Sequence, residues 1–256
     1  MPFYPRLQSS LPDGKRLRAV ENILTLRGQL HASIPDKDLD RTLLLATWNL
    51  RDFGKKNRRG FGARIADAHF YIAEVISRFD LIAVQEINEL PEWEFVMDVL
   101  GPDWSYIATD ITDRKIGGNG ERLTFVFDKR KVRFKNIAGE IVLPDDMLIS
   151  KSELKLGDKK VVGGKQFRRT PFVVSFQSGW FKFDICTVHL YCGESSGPKL
   201  EERVEKIGRI AGYLGKRAKD GLRTEKKALI LLGDFNIVSP KHKTMKALLD
   251  AGFTVP

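Results

Sequence analysis

The sequence predicts an α/β (α+β) fold, and three observations predict it. Short apolar or alternating runs of strand length recur from residue 43 onward. Segments of helical periodicity lie between them, such as Ile65, Ala68, Ile72, Val75 and Ile76, or Leu200, Val204, Ile207, Ala211 and Leu214. The chain has 256 residues, 42% of them hydrophobic, enough to bury a sizeable core without disulfide staples.

Taken in order, residues 1–40 read as an N-terminal arm and helix. Pro2, Pro5 and Pro12 open it, and an amphipathic segment at about 15–31 carries Leu17, Val20, Ile23, Leu24 and Leu30, as expected of a surface helix packed on the domain behind it. Strands are expected at 43–49, 81–87, 123–128, 171–177, 181–189 and 228–234, each a compact apolar run. The glycine- and charge-bearing stretch 143–164 reads as a long hairpin or excursion, and 244–251 as a helix. The opening residues lack the apolar core of a signal peptide, and no run approaches the roughly 20 apolar residues that span a bilayer. Cys186 and Cys192 form neither a disulfide framework nor a metal-knuckle spacing, so a reducing, cytoplasmic setting is expected. Lys and Arg outnumber Asp and Glu 43 to 33, for a net charge of +10, which points to an anionic partner such as nucleic acid, a phosphorylated metabolite or an acidic lipid surface.

Four of the apolar strands end alike. LLLATWN closes on Asn49, LIAVQE on Glu86, FDICTVH on His189, and ALILLGDFN on Asp234 and Asn236. A carboxylate at the edge of a buried strand loses hydration, which costs several kcal/mol unless a cation or strong donors compensate. Each residue alone also has a structural reading, as a turn-capping amide, a strand-end hydrogen-bonder or an edge histidine; together they point to one polar site. Alternation sets Asp234 and Asn236 on one side of their strand, and Thr187 and His189 on one side of theirs. With four histidines and no HExxH or paired CxxC, the donors are carboxylate and amide oxygens, which suit a hard cation: Mg2+ first, Mn2+ or Ca2+ also. No GxxxxGK[ST] loop occurs, which excludes a P-loop mechanism.

Six motifs in order, TWNLRDFG at 47–54, VQEIN at 84–88, GERLTFVFDKRKV at 120–132, RTP at 169–171, TVHL at 187–190 and GDFNI at 233–237, resemble those of the endonuclease/exonuclease/phosphatase superfamily, whose fold is like that of pancreatic deoxyribonuclease. The resemblance covers residues 43 to about 240. It implies a four-layer sandwich of two mixed β-sheets flanked by helices, occupying 41–256, with the site where strand ends of the two sheets meet. Glu86 matches the metal-ligating glutamate, and Asn49 the asparagine near metal and scissile phosphate. Asp234 and Asn236 match the pair that orients the attacking water and binds a phosphate oxygen. His189 matches the histidine of the deoxyribonuclease and sphingomyelinase branches, and Glu121 the acid that hydrogen-bonds it; such a carboxylate fixes an imidazole's tautomer and keeps a proton available for a leaving oxygen. Arg169 and Arg51 match phosphate-contacting arginines, for which a surface ion pair is the other reading.

The resemblance implies a Mg2+-dependent phosphodiester hydrolase, most simply an endonuclease acting on nucleic acid, DNA ahead of RNA. Lys55, Lys56, Arg58 and Arg59 would lie along a nucleic-acid backbone or form a solvated loop. Two enzyme-class alternatives share these motifs, a phosphatase or phosphodiesterase for inositol phosphates or sphingolipids; a third reading is a binding fragment without turnover. Asn88 and Asn119 stand where deoxyribonucleases put an arginine and a tyrosine into the minor groove, which disfavours duplex DNA. After GDFN the family runs through another strand aspartate to a Ser-Asp-His motif. Here only residues 238–256 follow, and His242, read as an exposed loop histidine, comes too early to supply it. The expectation is a domain incomplete at its C-terminus, with its last strands missing.

Overall fold

The computed structural model describes residues 2–58, 60–111, 120–144, 150–156, 159–165, 167, 169–190 and 196–255, without the side chains of 150–156 and 159–165. The chain divides into two compact units: Met1–Thr112, Gly120–Arg133 and Gln177–Trp180 form the first; Asp113–Asn119, Phe134–Phe176 and Phe181–Pro256 the second.

The first unit holds helices α1 (Pro5–Ser10), α2 (Asp13–Ser33), α3 (Ala68–Ser77) and α4 (Leu90–Leu100) and a four-stranded mixed sheet. Its strands are β1 (Leu45–Phe53), β2 (Leu81–Ile87), β3 (Trp104–Ala108) and β4 (Arg122–Asp128), in the order β1-β2-β4-β3. β1 and β2 are parallel; β4 runs antiparallel to both β2 and β3. β2 is buried at every residue, as an unbroken LIAVQEI run in the middle of a sheet requires. The core joins Phe53, Phe70, Ile76, Ile82, Val84, Trp93 and Val96 with Ala19 and Ile23 of α2.

α2 therefore packs on the unit as expected, burying Ile23 of the expected apolar set together with Ala19, but not its other apolar members at 17, 20 and 24. Leu17, Val20 and Leu24 are exposed, while Arg18 and Arg27 pair with Asp67 and Glu74 and lock the Ala19–Ile23 face inward. Glu74 is buried; burial raises its carboxyl, but the bonds from Arg27 and Tyr4 outweigh this and hold it below the usual range.

The second unit contains strands β5 (Val132–Glu140), β8 (Phe172–Ser178), β9 (Phe181–His189) and β10 (Ala228–Asp234), paired in the order β10-β9-β8-β5, with the first residues of β5 and the last of β8 counted in the first unit. β6 (Ser150–Leu156) and β7 (Lys159–Lys165) form the antiparallel hairpin expected within 143–164. Helices α5 (Gly197–Glu225) and α6 (Lys243–Leu249) complete the unit. β9 and β10 are parallel. α5 buries Ile207, Ile210, Ala211 and Leu214 in a core with Cys186, Val188, Phe235 and Leu248, and Leu200 and Arg203 are buried as well. Cys186 is thus a core thiol, raised to about 12 by desolvation, and inert as a nucleophile.

The two mixed sheets with flanking helices agree with the predicted class. β3 and β5 escaped the sequence reading: WSYIA is short, and VRFKNIAGE is charged and largely exposed. Ile65 falls outside α3 and is exposed rather than on its apolar face. Among the described residues, no helix is long and apolar enough to cross a membrane.

Candidate active site

In the first unit the site residues gather where β1 and β2 end. The register runs Trp48 opposite Val84 and Asn49 opposite Gln85, then jumps to Phe53 opposite Ile87, so residues 50–52 stand against Glu86 alone. On the other side, Gln85 and Glu86 face only Leu123 of β4, which makes a β-bulge. The bulge turns Glu86 to φ +65°, and Arg51 and Asp52 take φ +42° and +53°. Such left-handed backbone in non-glycine residues costs about 1–3 kcal/mol each and persists where surrounding bonds fix it.

Those bonds are present. Asn49 Nδ2 donates to Glu86 Oε1 at 2.9 Å, the Asp52 N–H to Glu86 Oε2 at 2.7 Å, and the Arg51 N–H to Asn49 Oδ1 at 2.8 Å. Asn88 Nδ2 donates to the carbonyls of Glu86 (2.9 Å) and Phe53 (3.2 Å). Gly54 closes the frame: at φ +88°, its missing Cβ would stand 2.6 Å from Glu89 Cβ and 2.9 Å from Glu89 N. Glu86 is 4% exposed, and a carboxylate oxygen of Glu121, just ahead of β4, lies within 4.8 Å of one of its own.

Two carboxylates this close repel when both are ionised, and a cation relieves the repulsion. Glu86 and Glu121 therefore offer carboxylate oxygens close enough together to suit a hard divalent ion, with the Asn49 amide steadying Glu86 beside them.

Other first-unit readings change. Asn88 is buried and spent on backbone carbonyls, so it is a framework residue and not a groove reader. Lys55 is paired with the buried Asp52 and Arg58 with the Gly62 carbonyl, so the basic tract is partly tied into its own loop. Arg51 is exposed, its guanidinium 5.2 Å from the Phe61 ring centroid. Asp52 went unnoticed in the sequence because its importance lies in a backbone N–H. Arg59, Asn119 and Cys192 lie outside the described residues.

In the second unit, β9 and β10 end together, and His189 sits opposite Asp234. His189 Nε2 lies 3.8 Å from Asp234 Oδ2; His189 is 5% exposed and the Asp234 side chain 29%. Asp234 Oδ1 accepts the Asn236 N–H at 3.0 Å, and Asn236 Nδ2 donates to the Leu190 carbonyl at 2.7 Å. Asn236 lies past the end of β10 at φ +51°, so strand alternation does not govern its direction, contrary to expectation. Gly233 is required by the close pairing: at φ +136°, an added Cβ would stand 2.2 Å from the Val188 carbonyl oxygen. Phe235 turns into the core, which explains an aromatic inside GDFN. Arg169 is half-buried in the bend before β8. His242 is not a free loop residue; it caps α6, accepting the Thr244 N–H at 3.2 Å.

No family model matches the sequence, and no curated protein does. Among solved structures, the chain resembles an endonuclease/exonuclease/phosphatase family protein from Bacteroides thetaiotaomicron at a TM-score of 0.53 and 21% identity, over 82% of this chain and 69% of that one. It resembles a humanized D. rerio TDP2 at a TM-score of 0.50 and 15% identity, over 82% and 70% of the two chains. A third is D. rerio TDP2 complexed with a single strand DNA product, at a TM-score of 0.51 and 17% identity, over 80% and 64%. The chain's structural neighbours are thus endonuclease/exonuclease/phosphatase family proteins, and it has their fold.

Proposed function

We propose that the protein is a Mg2+-dependent phosphodiester hydrolase acting on nucleic acid, DNA ahead of RNA. The observation that carries this reading is the Glu86–Glu121 carboxylate pair, framed by Asn49 and a bulged β2. Net charge +10 and the likeness to a protein complexed with a single strand DNA product support the substrate class.

In this reading Glu86, Glu121 and Asn49 would hold Mg2+, which when bound supplies charge neutralisation at the phosphoryl oxygens. The protein's own groups do the rest. Asp234 accepts a hydrogen bond from the attacking water and aims its lone pair at phosphorus, in line with the leaving oxygen. Asn236 steadies Asp234 through its N–H and offers its remaining amide hydrogen to a phosphate oxygen. His189 gives a proton to the departing oxygen, its Nε2 lying 3.8 Å from Asp234 Oδ2. Arg169 contributes N–H donors to the phosphodiester, and Arg51 adds positive charge.

Nicking of supercoiled plasmid and cleavage of a labelled oligonucleotide, each with Mg2+ and with EDTA, test this. Metal-dependent cleavage that falls at least about 100-fold in His189→Ala is the expected result. Equal cleavage by wild type and His189→Ala contradicts the catalytic assignment, and phosphate release from inositol phosphates without nicking contradicts the substrate class.

A further inference from the structure

Phe61 is a large apolar side chain left 68% exposed. A lone exposed phenylalanine needs no explanation, but this one is built into its position. Gly60 and Gly62 bracket it at φ +92° and +70°. The loop around it is tied by its own bonds: the Phe61 N–H donates to the Arg58 carbonyl at 3.1 Å, Arg58 Nε to the Gly62 carbonyl at 3.0 Å, and the Gly60 N–H to Asn57 Oδ1 at 2.8 Å. The ring is thus held outward by a rigid turn and not by fraying.

The Arg51 guanidinium lies 5.2 Å from the Phe61 ring centroid, in cation–π range. Arg51 is in turn fixed by its N–H on Asn49, the residue that also binds Glu86. The aromatic–arginine contact is therefore carried on backbone that is anchored, through Asn49, to Glu86 of the carboxylate pair. The surrounding charge is one-sided: residues 51–64 carry six basic side chains and one acid, and that acid, Asp52, is buried and paired with Lys55.

We infer that Phe61, backed by Arg51, is a stacking platform for an unpaired base of a nucleic-acid strand whose phosphates run along Lys56 and Arg58. An open aromatic face beside cations suits a splayed single strand, since a base within a duplex has no free face to offer. This deepens the phosphodiesterase reading and rests on it, adding strandedness and a base-binding position.

The test is equilibrium binding in EDTA, so that turnover plays no part. Fluorescence anisotropy would compare one labelled sequence as single strand and as duplex on wild type, Phe61→Ala and Phe61→Trp. The expected result is tighter binding of the single strand by wild type, a loss of about tenfold in Phe61→Ala, recovery in Phe61→Trp, and a duplex affinity unchanged within about twofold. Single-strand affinity that Phe61→Ala leaves within about twofold, an equal loss on both forms, or no binding by wild type overturns the inference. Wild-type hydrolysis of bis(p-nitrophenyl) phosphate with Mg2+, a diester without bases, runs alongside. Hydrolysis there with no Phe61 effect removes the platform and leaves the phosphodiesterase standing, whereas absent hydrolysis with the Phe61 effect present removes the catalytic reading alone.

Discussion

Strand β2 has a buried acid at each end, and the two ends solve the same electrostatic problem differently. Asp80, just before the strand, is fully buried, as is Asp128 at the end of β4. Lys37 lies 3.0 Å from Asp128 and 3.4 Å from Asp80, Lys131 lies 3.3 Å from Asp80, and Arg130 binds Asp128 through two nitrogens at 2.9 and 2.6 Å. Burial alone would raise the Asp128 carboxyl, but the bonds from Arg130 and Lys37 outweigh it and hold it at about 2. At the other end, Glu86 takes its bonds from an amide and a backbone N–H, on strained backbone, with a second carboxylate drawn close. The first arrangement balances charge with fixed cations and serves stability. The second draws two carboxylates together on strained backbone, and its cost in stability is what a ligand site carries.

Substitutions at the two ends should therefore separate stability from metal binding. Asp128→Asn uncouples Lys37 and Arg130 and should cost about 2–3 kcal/mol, read by denaturant unfolding, less than the roughly 3–5 kcal/mol of a fully buried pair because Arg130 is half-exposed. Gly54→Ala attacks the frame at the other end by forcing a Cβ against Glu89 in left-handed backbone, at about 2 kcal/mol. A loss below about 0.5 kcal/mol in either variant would mean that its end of β2 is not held as described.

Acid should act on the Asp128 end. Its folded pKa, about 2, lies below the ordinary 3.8, so its contribution is fully present above about pH 4 and is lost as pH falls toward 2. Roughly 2 kcal/mol should disappear across that window, with hydrogen exchange rising first in β2 and β4 peptides, and Asp128→Asn should flatten the slope. Glu86→Gln should shift stability by less than about 1 kcal/mol, since relief of repulsion from the neighbouring Glu121 offsets the loss of one of the two hydrogen bonds Glu86 accepts.

This contrast also marks how far the residues alone could lead. Strands 81–87, 181–189 and 228–234 were legible to the residue because apolar runs in a sheet interior admit few alternatives. The candidate site residues were legible as polar endings of those runs, but Asp80 and Glu86 look equivalent in sequence. What separates them is long-range: Lys37 comes from 91 residues before Asp128, and the bulge at Glu86 arises from pairing to both β1 and β4. Leu17 and Leu24 of α2 misled for a similar reason, since the partners of Arg18 and Arg27 on the packed face, Asp67 and Glu74, lie far along the chain. Asn88, noted in the sequence only as standing where deoxyribonucleases carry a groove-reading residue, is a buried clamp, which its neighbours in sequence do not encode.

The most direct test is calorimetric titration of Mn2+ into wild type, Glu86→Gln and Asp128→Asn under conditions where all three are folded. The structure predicts one binding event in wild type, the same affinity within about threefold in Asp128→Asn, and a loss of at least about tenfold in Glu86→Gln. Binding to Glu86→Gln as tight as to wild type, or an equal loss in both variants, would contradict the assignment of the metal to the Glu86 end.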